Sequence, residues 1–153
     1  MGTDYRSNDG YYVSLEKMIN LVTCANFKEI FNLLRKSGIS SPKEVYPSPD
    51  ASFEECVNWI GNLHDVSNYP DEEYVDCLNE IWSLIVESSG LNLPEFECLY
   101  FSDDGYTHTD DFAFDEFFFI FDRDDCYIEK ISPKGSALKS FAGMNHVSWT
   151  DIC

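Results

Sequence analysis

Basic residues are scarce in this chain of 153 residues. It holds 10 Lys and Arg against 28 Asp and Glu, which gives a formal net charge of 10 − 28 = −18 and an isoelectric point near 4.2. A surface of that sign repels phosphate backbones and anionic lipid headgroups. The composition therefore argues against direct binding to nucleic acid or to a membrane surface. It favours a positively charged partner, either a basic protein or cations.

An apolar run long enough to cross a bilayer is also missing, since none approaches the roughly 18 residues that a membrane-spanning helix needs. Residues 1–7 lack the basic start and the apolar run of a secretory signal. No Asn-x-Ser/Thr glycosylation acceptor occurs in the chain. These absences lead us to expect a cytoplasmic protein.

Paired cysteine motifs are missing too, although the chain has six cysteines. They are widely spaced, and no two form C-x-x-C, the spacing of many metal and redox sites. Cys56 and Cys77 fall on the apolar faces of predicted helices, and Cys98 alternates with aromatic residues in a predicted strand. Reduced cysteine behaves as a small buried hydrophobe, so we predict free thiols in a reducing compartment.

Motifs that identify an enzyme or a metal site are absent as well. There is no G-x-S-x-G, no Walker loop and no G-x-G-x-x-G. The histidines, His64, His108 and His146, are far apart in the sequence, which disfavours zinc. A calcium loop that begins at Asp103 fails because Gly105 occupies its third position, where Asp or Asn is needed. We therefore predict no cofactor, no metal and no enzyme activity.

Two alternatives to that prediction stay open. A loose Ca²⁺ or Mg²⁺ site among Asp103, Asp104, Asp110 and Asp111 would use the oxygen ligands that these cations prefer. A metal-dependent hydrolase with an unrecognised motif is the corresponding alternative from another functional class.

The chain does contain enough apolar surface for a folded core, because 44% of its residues are hydrophobic and 16% are aromatic. In its first part the apolar residues recur at helical spacing. Gly38 and Gly90 are suited to end helices. The residues suited to begin these helices are Ser14, Asn26, Ser52 and Asp71.

Beyond Pro94 the apolar pattern changes from a helical period to the alternation of strands. Residues 96–100 alternate in this way. The run at 117–121 is so apolar that it predicts a central strand covered on both faces. We expect a hairpin loop at 122–125 and a return strand at 126–131.

This order of elements predicts an α+β fold, in which N-terminal helices pack on one face of a C-terminal antiparallel sheet. We expect a single domain over residues 1–153. Its helical part spans about 14–90 and its sheet part about 95–131, and its tail at 137–153 is either a short helix or an edge strand. The first ten residues are polar, and we expect them to be frayed.

The acidic excess is concentrated in one window of the sequence. Residues 95–129 contain 12 acids and one base, Arg123, so this window carries 1 − 12 = −11. Aromatic residues lie among these acids, and aromatic anchors beside charge are typical of tight protein interfaces. We therefore expect a partner-binding surface made of Asp103, Asp104, Tyr106, Asp110, Asp111, Asp115, Glu116, Asp122, Asp124 and Asp125.

Three interpretations of this charge remain open. The first is a small acidic inhibitor that neutralises a basic nucleic-acid-acting protein, as an immunity protein does when it blocks a bacterial nuclease toxin. Its carboxylates would pair with the Lys and Arg that normally hold phosphate. The second is a phage-encoded DNA mimic with anti-restriction or anti-CRISPR activity, whose acids need a pitch close to that of DNA, about one charge per 1.7 Å. The third is a solvated acidic surface without such a partner.

Overall fold

The structure, a computed structural model, describes most of the helical region and the core of a sheet. Contacts divide the chain into two compact units, a helical unit at Leu15–Asn92 and a sheet unit that joins Met1–Ser14 to Leu93–Cys153. The predicted α+β class is confirmed, because the helices and the strands occupy separate units. The described residues are 5–41, 45–66, 70–90, 95–101, 107–108, 116–122 and 145–152.

Four helices form the described part of the helical unit. Helix α2 contacts both α3 and α4, and α1 contacts α3. The buried side chains on their facing sides include Phe31 of α2, Ile60 of α3 and Trp82 of α4, each at most 1% exposed. Burying one such side chain contributes roughly 1.5–3 kcal/mol. The helices are α1 (Leu15–Ile19), α2 (Phe27–Lys36), α3 (Phe53–Asn62) and α4 (Glu72–Ser88).

The ends of α3 and α4 follow the capping chemistry of the sequence. The Ser52 hydroxyl accepts a hydrogen bond from the backbone N–H of Glu55 at 3.1 Å, and the Asp71 carboxylate accepts one from the N–H of Tyr74 at 2.8 Å. Gly90 follows α4 with a positive φ of 81°, a conformation that glycine adopts without steric cost. The predicted starts and this predicted stop are therefore confirmed.

The turn between α1 and α2 depends on Asn26. This residue precedes α2 as predicted, but its side chain makes no capping hydrogen bond to that helix. Its Oδ1 instead accepts from the N–H of Thr23 at 2.7 Å, while its Nδ2 donates to the carbonyl of Leu21 at 3.0 Å. Asn26 thus closes the preceding turn. Helix α1 ends at Ile19, although the helical spacing of Leu15, Met18, Ile19 and Val22 predicts a longer helix.

Five strands form the described part of the sheet, and every pairing between them is antiparallel. Their order is β2-β4-β1-β5-β3, so the N-terminal strand lies at the centre. The outer strands β2 and β3 also contact each other, which shows that the sheet curls toward closure. The strands are β1 (Tyr5–Ser14), β2 (Phe96–Phe101), β3 (Thr107–His108), β4 (Glu116–Asp122) and β5 (Asn145–Ile152).

Strand β1 corrects, for residues 5–10, the expectation that the first ten residues are frayed. Their polar composition hides the strand, because no apolar alternation marks it. Backbone hydrogen bonds on both edges stabilise the strand where the side chains give no apolar pattern. Strand β4 pairs with residues 10–14, and β5 pairs with residues 5–12. The ambiguous tail contains a strand, but β5 lies between β1 and β3 and is therefore internal to the sheet.

Strand β4 confirms the predicted central strand. Its residues 117–121 are all buried, on both faces, and it lies between β1 and β2. On one face Phe118 packs against Tyr12 at a ring distance of 5.3 Å, and on the other Phe117 packs against Tyr100 at 5.0 Å. The predicted return strand at 126–131 lies outside the described residues, and β1 and β2 occupy both edges of β4.

Candidate partner-binding surface

Two of the ten predicted partner-binding residues belong to the described sheet. Glu116 begins β4 and is exposed, and Asp122 is the last residue of the same strand. The other eight lie outside the described residues: Asp103, Asp104, Tyr106, Asp110, Asp111, Asp115, Asp124 and Asp125.

Strand β4 separates these two acidic residues. Glu116 pairs with Phe101, the end of β2, whereas Asp122 pairs with Gly10 of β1. Six residue steps at about 3.3 Å per residue put their backbones roughly 20 Å apart. That distance exceeds the screening length of about 8 Å at physiological salt. The two residues therefore belong to separate charged regions at opposite ends of the strand.

The helical unit carries a second acidic region, which the sequence window had not singled out. Residues 15–43 hold 5 bases and 2 acids, a net charge of +3, whereas residues 44–92 hold 11 acids and no base, a net charge of −11. The signal that would have found it is the interval without Lys or Arg between Lys43 and Arg123. The interval of negative charge thus begins at Glu44, 95 − 44 = 51 residues before the predicted window.

Helix α4 presents four of its five acids, with Ser83 among them, as a column on its exposed face. Its opposite face is buried through residues such as Leu78, Ile81 and Ile85. Along the helix, at about 1.5 Å per residue, the column is roughly 21 Å long. Its members recur every three or four residues, the spacing of one helix face: Glu73, Asp76, Glu80, Ser83 and Glu87 are all exposed.

Some of these acids also have a local structural role. Glu54 and Glu55 lie in the first turn of α3, and Glu72 and Glu73 lie in the first turn of α4. There they interact favourably with the positive end of the helix dipole. Neither of these two described helices has a basic residue in its last turn, whereas α2 ends on Arg35 and Lys36. The acids beyond the first turn of α4 have no such role at a helix start.

Aromatic residues lie beside this acidic region. The Tyr46 ring packs on Trp59 of α3 with centroids 5.0 Å apart, and its hydroxyl donates to the carbonyl of Ile39 at 2.7 Å. The pKa of Tyr46 is raised, first by burial and then by the nearby Cys77 and Glu80 of α4. The loop that carries Tyr46 therefore lies next to the acidic column.

The described cysteines are all free thiols. Cys24 is exposed, Cys56 and Cys98 are buried, and Cys77 is partly buried. Burial is the main cause that raises the pKa of Cys56, Cys77 and Cys98, because a thiolate is poorly solvated in an apolar environment. Within the described ranges, no three His, Cys, Asp or Glu residues are grouped so that they could hold a metal ion.

None of the described helices combines the length and the apolarity that a membrane span requires. No known protein family matches the chain, and no curated protein and no solved structure matches it either.

Proposed function

We propose that this protein is a small acidic inhibitor that binds and neutralises a basic nucleic-acid-acting protein in the cytoplasm. An immunity protein that blocks a bacterial nuclease toxin is the kind of protein we infer. It acts by binding rather than by catalysis. It contacts neither nucleic acid nor membrane directly.

The observation that carries this proposal is the uninterrupted negative charge of residues 44–122. This interval holds 20 acids and no Lys or Arg, and it includes the exposed column of α4 and both ends of β4. Without interspersed bases, such acids add to a field that accelerates encounter with a cationic protein by orders of magnitude. Carboxylates of this kind pair well with the Lys and Arg of a phosphate-binding cleft.

The regular column on α4 also favours the DNA-mimic alternative. Glu73, Asp76 and Glu80 follow one another at rises of about 4.5 and 6 Å along the helix axis. One DNA strand carries a charge about every 3.4 Å of its axis, so the column is a sparser copy of a phosphate ladder. A complex in which the partner's duplex-binding track covers the column would favour the mimic, whereas a plugged active site would favour the toxin inhibitor.

The proposal is tested by identifying the partner in the native host through pull-down and mass spectrometry, and then measuring association rates by stopped flow. The variant Asp76→Lys with Glu80→Lys reverses two charges of the column. The matched control, Glu16→Lys with Glu29→Lys, makes the same change of +4 on exposed acids of α1 and α2. We expect the α4 variant to slow association about tenfold or more and the control to have a smaller effect.

A reversal of Asp103, Asp104, Asp122, Asp124 and Asp125, which changes the charge by +10, tests the acidic window at residues 95–129. Equal slowing by the α4 variant and its control, which both change the net charge by +4, would show that only net charge matters, and this contradicts a defined docking surface. A partner without a basic surface would contradict the proposal as a whole.

A further inference from the structure

His64 joins the end of α3 to α4 through both nitrogens of its ring. The indole Nε1 of Trp82 lies 3.2 Å from His64 Nε2, and His64 Nδ1 lies 3.0 Å from the carbonyl oxygen of Ile60. An indole N–H can only donate, so Nε2 must be the unprotonated acceptor. Nδ1 then carries the proton and donates to Ile60. The contacts thus fix both the neutral state of this imidazole and its tautomer.

This hydrogen bond lies at the junction between the end of α3 and the middle of α4. His64 follows the C-terminal end of α3, and Trp82 lies fully buried in the middle of α4. At the same junction the Tyr74 hydroxyl donates to the carbonyl of Leu63. Two aromatic side chains of α4 thus donate to the end of α3. Of their two acceptors, the Leu63 carbonyl and the His64 imidazole, the imidazole is the group that can be protonated near neutral pH.

We propose that His64 and Trp82 form an acid-sensitive latch, in which protonation of His64 Nε2 breaks the bond from Trp82 and loosens the end of α3 from α4. In the imidazolium form both ring nitrogens are donors. The Trp82 N–H then faces a donor where it had an acceptor, and a cation replaces a neutral ring beside a fully buried indole.

The environment of the ring supports this coupling. Burial lowers the pKa of His64 from 6.5 to about 4, which outweighs the opposing effects of the Ile60 carbonyl and the Asp65 carboxylate. Asp65 is a charged group that acts on the ring, and Tyr74 is a titratable residue of α4 at the same junction. The Asp65 carboxylate favours the cation but does not restore an ordinary pKa.

The direction of the pH effect follows from linkage. Because the pKa is lower when the latch is closed, the open form binds the proton more readily, and stability falls as the pH drops from 6.5 toward 4. With values of 6.5 and about 4, the opening equilibrium rises about 20-fold between pH 7 and pH 5. At pH 5 most carboxylates are still ionised, so the effect is separable from general acid denaturation.

The experiment compares the full-length protein with His64→Gln, which keeps a neutral acceptor. Urea unfolding measures the unfolding equilibrium constant at pH 7 and pH 5. This constant should rise about 20-fold for the natural protein as the pH falls, and it should change less for the variant. Trp59→Phe is the matched control, since it removes an indole whose acceptor, the Val45 carbonyl, does not titrate. This control should lower stability equally at both pH values.

NMR of the natural protein tests the latch directly and does not depend on the folding of any variant. At pH 5 we expect His64 to remain the neutral Nδ1–H tautomer, and we expect its titration to move the Trp82 indole N–H signal. A His64 pKa near 6.5 would overturn the proposal, and so would a Trp82 indole N–H signal that does not shift as His64 titrates. The same pH dependence in His64→Gln as in the natural protein would also overturn it.

Discussion

The indole N–H of Trp59 donates a hydrogen bond of 2.8 Å to the backbone carbonyl of Val45, fourteen residues earlier in the chain. A core residue of α3 thereby holds a loop whose own Val45 side chain is 88% exposed. Nearby, Arg35 of α2 donates to the carbonyl of Pro47 at 3.1 Å, and the Tyr46 hydroxyl donates to Ile39. Three side chains therefore fix the backbone of this loop while its apolar residue faces solvent.

This arrangement predicts opposite sensitivities for the two residues. Trp59→Phe keeps an aromatic ring in the core but leaves the Val45 carbonyl without its donor, which should lower the free energy of unfolding by about 1–3 kcal/mol. Val45→Ser changes an exposed side chain and should alter stability by less than about 0.5 kcal/mol. Urea unfolding measures both. A large loss for Val45→Ser would mean that its side chain is part of the folded core.

Alanine substitutions at two glycines of the helical unit should change stability in opposite directions. Gly61 lies within α3, and a Cβ added there would meet nothing within 4 Å. Gly61→Ala should therefore stabilise the protein by roughly 0.5–1 kcal/mol, because alanine is the better helix former.

Gly90 is the matched site, since an added Cβ there also meets nothing within 4 Å. Its φ of +81° is nevertheless unfavourable for alanine, so Gly90→Ala should cost about 1–2 kcal/mol. Thermal unfolding of both variants separates the effect of backbone conformation on stability from the effect of steric clashes, because neither site has a clash. Destabilisation by both would contradict the open space at Gly61.

These local features are the part of the fold that the sequence made predictable. Ser52, Asp71 and Gly90 act on backbone groups within a few residues of themselves. The local sequence is therefore enough to predict where these helices begin and end. Residues 117–121 were equally clear, because a run of five apolar residues leaves no exposed face. The starts of α3 and α4, the end of α4 and the buried central strand were therefore predicted correctly.

Strand β1 and the acidic column needed information from distant parts of the chain. Tyr5 pairs with Ile152 and Gly10 with Asp122, contacts that no local pattern encodes. A strand paired on both edges can also carry polar residues that hide its period. The column on α4 lies outside the dense acidic window at residues 95–129, and its signal is a longer interval that lacks Lys and Arg. Glu116 and Asp122, both members of the predicted surface, lie at opposite ends of one strand.

The cysteines predict a wide range of thiol reactivity. Cys24 is exposed, whereas Cys98 is fully buried in β2 and burial raises its pKa well above the usual range. Alkylation of Cys98 requires both local opening of the sheet and formation of a thiolate. Iodoacetamide labelling resolved by peptide mass spectrometry should modify Cys98 about 100-fold more slowly than Cys24, or slower still. Comparable rates would contradict the buried position of Cys98 in the native sheet.

Alanine substitutions at Asp71 and Asp76 should have contrasting effects on stability, although the two aspartates are exposed and only five residues apart. Asp71 caps the helix, so Asp71→Ala should lower the free energy of unfolding by about 1 kcal/mol. Asp76 lies between Glu73 and Glu80 in the column, where the like charges at i−3 and i+4 repel it. Asp76→Ala should therefore be neutral or stabilising by a few tenths of a kcal/mol at low salt.

Salt distinguishes these two causes. Added NaCl screens the repulsion along the column, so the gain from Asp76→Ala should shrink as the screening length falls from about 30 Å at 0.01 M to 3 Å at 1 M. The loss from Asp71→Ala should persist, because it removes a short hydrogen bond to the Tyr74 N–H rather than a long-range interaction. Urea unfolding at both salt concentrations measures the four values. A destabilising Asp76→Ala at every salt concentration would show that Asp76 is held by a favourable contact rather than strained by its neighbours, and the column would then owe its existence to local stability.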